Sequence, residues 1–595
     1  MNREAWGPFT PLGQKVFFFA FLLLFVCCPG WSQIVNGNIR GIVTDSNGQP
    51  VAGATVTINS KSLIGQTRTA ITSSTGVFRF PSIPIGTYSV ESRLNGFETV
   101  RLNNVDVSLG LTANVPLTMK MAATETITVM GETLMIDPRN SGTPTIYKHE
   151  MVENLSTRRN MWDLMQVAPG VTTDNGDSLT PDLIAYGGNR QSNSWNIDGV
   201  DITGPETGKS WWEPNPDTID QIQVLGVGAP AEYGNFLGAM LNVVTKKGSN
   251  QFHGSGNSFF QNQALTAVNV RLPDSNFVYH RDKYYDLSGQ VGGPVLRDRL
   301  WFFTAIQSLH DAYSPPGIDP SYAPQNKSDK YDLKISSRPG TKYDIDAFFH
   351  DENRVAPEIQ SPYNTASATG KLFGTNQAFG ASLSSTFSRN FLFELGYAGW
   401  IGTEDRGSLT NSFDTPIWNY LANSYSGGLF GPYDYTTFRH QLNGKATYYA
   451  DNFLKSQHEF RFGAQYSYGS ADTIYSLGPN GNYLLQFGSQ IYNYYSVPFH
   501  YGGTSQSLGL FVDDSVQVNR RLTLNLGLRF DHTTGSFPDY DRLEVGTPSI
   551  SKVMNVRPTG EKIPGIDNYI DWNVFSPRLG FVWMARADGR AVLRG

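Results

Sequence analysis

The sequence predicts a mainly β protein of three successive modules, and three observations carry that prediction. The chain of 595 residues holds 60 Gly and 33 Pro, the punctuation of many turns, while only 16% of its residues are charged and 13% are aromatic. Disordered chains are charge-rich and aromatic-poor, so this one is folded. Outside the amino terminus no apolar run approaches the roughly 18 residues that mark a spanning helix, which removes a helical membrane bundle and leaves a membrane β-barrel open. The second half alternates apolar and polar residues with the period of a two-faced strand. A formal net charge of −6 lacks the basic footprint that nucleic-acid binders need, so no nucleic-acid partner is expected.

Residues 1–32 read as a secretory signal peptide. Val16 to Val26 (VFFFAFLLLFV) follows Arg3 and Lys15, and Gly30 and Ser32 place small residues before a cut at Gln33. The run is about half the roughly 20 residues a spanning helix needs. A retained anchor is one alternative; a lipid on Cys27 is another, although Val26 stands where a small residue is preferred. Cys27 and Cys28 are the two cysteines of the chain, so processing would remove every thiol. Disulfides, thiol catalysis and cysteine-ligated metal would go with them.

Residues 36–121 carry strand-and-turn punctuation in two stretches, Ile39 to Ser60 and Ser74 to Val100. Asn47-Gly48 is a favoured hairpin turn because both residues tolerate positive φ, and Tyr88 and Val90 alternate with Ser89 and Glu91 as a half-buried strand should. A small β-sandwich is expected. The two stretches resemble the carboxypeptidase regulatory-like domain, a transthyretin-like β-sandwich. That family name suggests an enzyme, but the nine His are scattered singly and no HxxE or HExxH pair exists. No catalytic residue, metal or cofactor is expected, and the chain is not read as an enzyme.

Residues 122–250 open with ETITVMGE, in which Glu125, Thr126, Ile127, Thr128 and Val129 form a short run of β-formers able to add to another protein's sheet edge. The run resembles a Ton box, the segment that TonB grasps in TonB-dependent receptors; the alternative is the first strand of the next domain. Met161, Leu164 and Met165 then fall at helical spacing before Pro169-Gly170. Next come YGGNRQSNSWNIDGVDI (Tyr186 to Ile202), IDQIQVL (Ile219 to Leu225) and AEYGNFLGAMLNVVTKKGSNQFHGS (Ala231 to Ser255). In that order the strings resemble the α+β plug domain of TonB-dependent receptors, with Ala185-Tyr186 standing where the family tends to carry an Arg. Gly204 to Ser210 (GPETGKS) has a P-loop flavour, but its glycines are three residues apart rather than four and no helix follows, so nucleotide binding is not expected. The segment reads instead as an outward loop in which Lys209, Trp211 and Trp212 are candidate ligand contacts, the adjacent rings suited to stacking on a sugar or another flat ligand. Packing of both rings on a barrel wall is the alternative.

Residues 251–595 change grammar. Leu522, Leu524, Leu526, Leu528 and Phe530 alternate with Arg521, Thr523, Asn525, Gly527 and Arg529, and Phe460 to Tyr468 alternate with Glu459, Arg461, Gly463, Gln465 and Ser467. Faces of about ten residues, one apolar and one polar, are the dyad of a transmembrane antiparallel β-barrel. Short turns near 294–299, 338–342, 388–390 and 520 alternate with long loops. The strings SGQVGGPVLRDRLWFF, LFVDDSVQVNRRLTLNLGLRFD and SPRLGFVW resemble the Oar-like barrel of TonB-dependent transporters. About 12 strands can be counted, with another begun at Arg590, against about 22 in plugged transporters, so a partial barrel is expected. The resemblance implies active transport of a ligand across the outer membrane, gated by the plug. It also implies a periplasmic sandwich and, as partners, TonB with its inner-membrane energising complex, outer-membrane lipid and an unidentified extracellular ligand. The alternative is a non-transporting surface, structural or secretion-related protein that kept the fold.

Overall fold

The computed structural model describes residues 36–121, 126–129, 141–154, 165–174, 182–267, 279–314, 324–519, 521–586 and 591–595, apart from single positions 143, 166, 207, 209, 359, 360 and 362. The signal peptide, Glu125, Lys209 and most of the helix expected around Met161 and Leu164 lie outside the described residues.

The first module is the expected sandwich. Its strands are β1 (Asn36–Asp45), β2 (Thr55–Asn59), β3 (Thr67–Ile71), β4 (Val77–Pro84), β5 (Gly86–Arg93), β6 (Thr99–Val107), β7 (Thr112–Asn114) and β8 (Leu117–Met119), joined by β9 (Thr126–Val129). One sheet runs β4-β1-β7 with β8 also against β1; the other runs β3-β2-β5-β6-β9. The turn after β1 forms at Asn47-Gly48, where Gly48 takes φ 78° and the Asp45 carboxylate accepts from the Asn47 and Gln49 amides. Alternating residues of both sheets, among them Ile39, Val56, Phe78, Tyr88 and Val90, interdigitate in a core drawn wholly from this module. Tyr88 is buried but keeps its hydroxyl satisfied by donating to the Pro84 carbonyl at 2.6 Å.

The second module contains β10 (Thr145–Lys148), a short helix (His149–Asn154), β11 (Val171–Asp174), β12 (Asp182–Ala185), β13 (Ser194–Ile197), β14 (Val200–Asp201), β15 (Ile219–Leu225) and β16 (Met240–Thr245). A mixed sheet runs β10-β15-β16-β13-β14, with β15 antiparallel and β13 parallel to β16. Its central strands are buried along nearly their whole length because both faces are covered, and they bury polar residues such as Gln221 and Gln223 along with the apolar ones. Part of that cover is the third module: the core around Trp195, Ile222, Leu241 and Val243 continues into Phe348, Ala378, Ala398 and Trp400 of the wall.

The wall is one antiparallel sheet of thirteen strands. In order these are β17 (His253–Asn262), β18 (His280–Leu296), β19 (Leu300–Ser314), β20 (Gln325–Ser337), β21 (Tyr343–Pro357), β22 (Gly370–Ser388) and β23 (Phe391–Ser408). Beyond a loop that holds β24 (Ile417–Asn419) and β25 (Ser424–Ser426) come β26 (Tyr433–Phe453) and β27 (Ser456–Tyr475). A second loop holds β28 (Asn482–Phe487) and β29 (Gln490–Tyr495), followed by β30 (Phe499–Gln517) and β31 (Leu522–Phe537). A third holds β32 (Tyr540–Val545) and β33 (Val556–Ile563), before β34 (Ile566–Met584) and the short β35 (Val592–Arg594). Each wall strand pairs with the next, and the path ends at β17 and β35. Short turns and long connections alternate strictly, which puts all the short turns at one end. The strands outrun the expected ten residues, β26 reaching 21. About ten suffice to cross a bilayer, so the remainder continues as hairpin beyond it.

The wall's polarity is inverted relative to a soluble sheet. Leu508, Leu510 and Val512, with Leu526 and Leu528 opposite, stand 37–47% exposed on the outer face. Lys334, Glu352, Glu394 and Arg529 are buried on the inner face. An exposed apolar band around a polar interior is what a strand barrel in lipid requires.

Candidate functional site

The second module sits inside the curved wall and meets it at three charged contacts. The first is the tip of the β13–β14 hairpin. A two-residue connection of this kind needs positive φ at both central residues, and Asp198 (47°) and Gly199 (84°) supply it. The turn carries the Asp198 carboxylate to the wall, where it accepts from Lys334 Nζ at 2.7 Å, from the Thr245 amide at 3.0 Å and from the Thr245 hydroxyl. Lys334 also donates to the Thr245 carbonyl at 3.0 Å. Asp198 and Lys334 are both 4% exposed. Removing two ions from water costs several kcal/mol each and is offset only when both are fully paired and hydrogen-bonded, as they are here. Around the same tip Trp400 Nε1 donates to the Asp201 carbonyl and Gln441 Nε2 to the Gly199 carbonyl, each at 3.0 Å, and Arg439 pairs with the Asp201 carboxylate.

The second contact clamps the segment from Ala229 to Tyr233. Glu232 accepts from Lys445 Nζ at 2.8 Å and lies 3.5 Å from Arg461. Burial pushes the Glu232 carboxyl up, but Lys445 and Arg461 more than offset this and hold it below the usual carboxylate range. The backbone is gripped as well: Arg578 donates to the Ala229 and Tyr233 carbonyls, Gln465 to the Glu232 carbonyl, and Asp513 accepts from the Ala231 amide at 3.1 Å. Arg529 donates to the Ala231 and Glu232 carbonyls and comes so close to Gly234 that a Cβ there would lie 2.5 Å from the guanidinium. The third contact is the ion pair of Lys247 with Asp346 at 2.7 Å, which fixes the exit into the wall.

Of the two readings open for the adjacent tryptophans, the structure shows the second: both rings lie against the wall rather than in an exposed loop. Trp212 is 4% exposed, its ring 4.1 Å from His350 and 6.4 Å from Phe348 between centroids. Trp211 stacks on Tyr435 at 4.9 Å and on Trp400 at 6.2 Å. Two adjacent indoles bury more apolar area against an aromatic wall than any solvent-facing loop offers them, and that decides their placement. Tyr186, where the resemblance led one to look for an Arg, packs beside Gly170 and Gly226. The segment Thr126 to Val129 is neither a lone strand nor the start of the next domain's sheet: it lies parallel to β6, with Val100 opposite Ile127 and Arg101 opposite Thr128. No group of three or more potential metal ligands occurs among the described residues.

Sequence reasoning placed Arg461, Gln465 and Arg529 on the polar face of the wall strands but gave them no partners. It passed over Asp198 and Glu232 entirely. The signal for Asp198 was present in the Asp-Gly turn; none pointed to Glu232.

A domain seated in a strand wall that is apolar outside and charged inside defines a plugged membrane barrel. Comparison with known proteins agrees. The carboxypeptidase regulatory-like domain matches residues 38–120, the TonB-dependent receptor plug domain matches 139–239, and an outer membrane beta barrel domain matches 244–322 and 319–595. The chain belongs to the outer-membrane β-barrel proteins of the TonB-dependent transporter family, which places it in the outer membrane with its amino-terminal domain in the periplasm. It is 22% identical to the TonB-dependent transporter Oar of Myxococcus xanthus over 93% of this chain and 60% of that one, and so spans 60% of that relative's length. Among solved structures, the outer membrane transporter YddB from Escherichia coli is similar at a TM-score of 0.56 and 13% identity, covering 76% of this chain and 60% of that one. The pyoverdine outer membrane receptor FpvA from Pseudomonas aeruginosa PAO1 is similar at a TM-score of 0.52 and 15% identity, covering 75% and 61%. At such identities the structural likeness speaks for the fold alone.

Proposed function

We propose that this protein imports a ligand across the outer membrane by gated, TonB-dependent transport, with Glu125, Thr126, Ile127, Thr128 and Val129 as the segment that TonB engages. The observation that carries the reading is the manner in which the plug is seated. Beside the apolar cover that Phe348, Ala378, Ala398 and Trp400 give it, its polar contacts with the wall gather mainly at the tip of one hairpin and along one short segment, Ala229 to Tyr233. Such contacts are directional: they hold one position well and lose most of their strength after a small displacement. A ligand that shifts the plug, and a pull from the periplasmic side, act on the same few bonds.

Ligand capture is assigned to the long-loop end. There β25-β24-β28-β29 form a separate sheet in which Tyr483 stacks on Tyr494 at 5.0 Å and Trp418 on Tyr425 at 5.9 Å, with Tyr495 74% exposed. With Trp211 and Trp212 committed to the wall, these loop aromatics take over the stacking role.

The test is Ile127→Pro or Val129→Pro. Proline removes a ladder donor from the TonB-binding strand and leaves wall and plug intact. Heat-modifiable migration and protease resistance in outer membranes should be unchanged. Energised uptake of whatever compound an untargeted ligand screen identifies should be lost. Normal uptake by a correctly inserted proline variant refutes the assignment, and a surface role that survives deletion of residues 125–129 would favour the non-transporting alternative.

A further inference from the structure

We propose that the amino-terminal sandwich is a gate on the periplasmic exit of the barrel. Docked as it is here, it closes the space below the plug, and a ligand leaves that space only after the sandwich swings off the rim. The proposal rests on the reading of this protein as an importer and adds to the plug a second barrier.

Three observations lead there. The first is the breadth of the docking. The wall residues that the sandwich bonds stand at the short-turn end. Arg68 donates to Asp344 at 2.8 Å, at the start of β21, and the Ser82 and Ser384 hydroxyls meet at 2.7 Å, near the end of β22. Arg79 pairs with Asp451 at the end of β26, and Arg40 bonds Gln457 at the start of β27 and Gln517 at the end of β30. From β21 to β30 the wall has six neighbouring strands. At a spacing of about 4.8 Å they make an arc of about 24 Å. A compact module the length of the sandwich is about 30 Å across. A body of that size that touches both ends of a curved rim, and also the domain held inside the curve, lies across the opening rather than beside it.

The second observation is what the sandwich covers. It reaches the plug through the turn after β6: the Leu109 amide donates to Gln221 Oε1 at 2.7 Å, and Gln223 Nε2 donates to the Leu109 carbonyl at 2.9 Å. Ile85 and Leu109 of the sandwich form a small apolar cluster with Val244 of the plug. Between the three modules lies a cavity of about 470 Å³. Its floor is Asn38 and Thr112 of the sandwich, its roof Gln223 and Glu232 of the plug, and its side Thr447 and Arg461 of the wall. The clamped segment from Ala229 to Tyr233 borders the same space. A solute released past that clamp therefore enters the cavity and meets the sandwich below it.

The third observation is that this dock can open. The main core of the sandwich is drawn from its own strands and loops, so leaving the rim exposes none of it. The plug differs, because its core runs on into Phe348, Ala378, Ala398 and Trp400 of the wall. What holds the sandwich to the rim is a set of ion pairs and hydrogen bonds between side chains, which fade quickly with distance and angle. Polar contacts of that kind between domains of one chain resemble transient protein interfaces, for which relative motion is the rule. Of the two barriers below the membrane, the sandwich is the one that moves away whole.

Access of a thiol reagent to the cavity tests this in cells that make the full-length protein. Thr447→Cys places a thiol in the cavity at a position that is 3% exposed. The probe is a sulfonated maleimide small enough to enter the periplasm through porins. Without a working TonB complex the thiol should be labelled at least tenfold more slowly than in the same protein lacking residues 36–121. Arg79→Glu/Leu109→Ala should expose it in the intact chain, and adding Asp451→Arg, which restores the rim ion pair with reversed sign, should recover protection. That recovery separates undocking from misfolding. With TonB working, labelling should accelerate. A disulfide made by Ser82→Cys/Ser384→Cys, whose parent hydroxyls are in hydrogen-bond contact, should cancel the acceleration until it is reduced. Equal labelling with the sandwich docked, undocked or deleted, or an acceleration that survives the oxidised tether, overturns the gate. If undocking exposes the thiol but TonB changes nothing, the closure of the exit stands and the importer reading fails.

Discussion

The sandwich and the plug are neighbouring domains of similar size that bury their interiors in opposite ways. The sandwich core is its own, from Ile39 to Met119, and its links to the wall are arginines at its surface. The plug core borrows Phe348, Ala378, Ala398 and Trp400 from the wall, and its charged residues are inside, at Asp198 and Glu232. The difference teaches which part can stand alone. An element that completes its core from within is stable wherever it is placed; one that completes it from a surrounding wall has a single seat, and leaving that seat costs apolar cover and ion pairs together.

The largest expected effect breaks the comparison outright. Residues 36–121 expressed alone should unfold in one cooperative thermal transition, whereas the plug expressed alone should show none, its tryptophans giving no sharp fluorescence change on heating. A cooperative transition in the isolated plug would show that the wall is only a container.

Next in size is the buried pair. Lys334→Met leaves the Asp198 charge without its counter-ion, and the loss of plug stability should be about 3–5 kcal/mol, read as a lower urea midpoint for plug release. Asp198→Asn/Lys334→Met should recover much of that loss, because Asn keeps an acceptor for the Thr245 amide and tolerates positive φ. Trp212→Ala should cost about 3 kcal/mol by opening a cavity against Phe348 and His350. Retention of the wild-type midpoint in that variant would mean that the ring is not a structural anchor.

Acid sharpens the comparison. The Glu232 carboxyl is held below its ordinary value of 4.5, so its contribution to the seat is complete above that pH and is lost as the pH falls through the lower folded-state value. The plug midpoint should therefore drop on acidification below about pH 4.5. Glu232→Gln should start lower at neutral pH and lose this group's share of the slope; an unchanged slope would remove Glu232 from the seat. The smallest effect belongs to the sandwich rim. Arg79→Ala breaks a mostly buried pair with Asp451 at the seam between sandwich and wall and should loosen the docking of the sandwich rather than its fold, visible as faster proteolysis at the rim rather than as a shifted melting transition.

The sequence by itself determined the elements and their polarity. Gly48 announces its turn because glycine accepts the positive φ required there, and the alternation through Leu522 to Phe530 announces a two-faced strand because the pleat has a period of two. These are local rules, read within a few residues. The order of short turns and long loops was legible for the same reason. What only the tertiary structure decided is which inward charge meets which: Lys334 is 136 residues from Asp198, and Lys445 is 213 from Glu232. It also decided that Trp211 and Trp212 face the wall and that Ile127 lies beside Val100. Those outcomes depend on the curvature of a thirteen-stranded sheet and on where it brings surfaces together, a property of the whole chain that no local pattern of residues encodes.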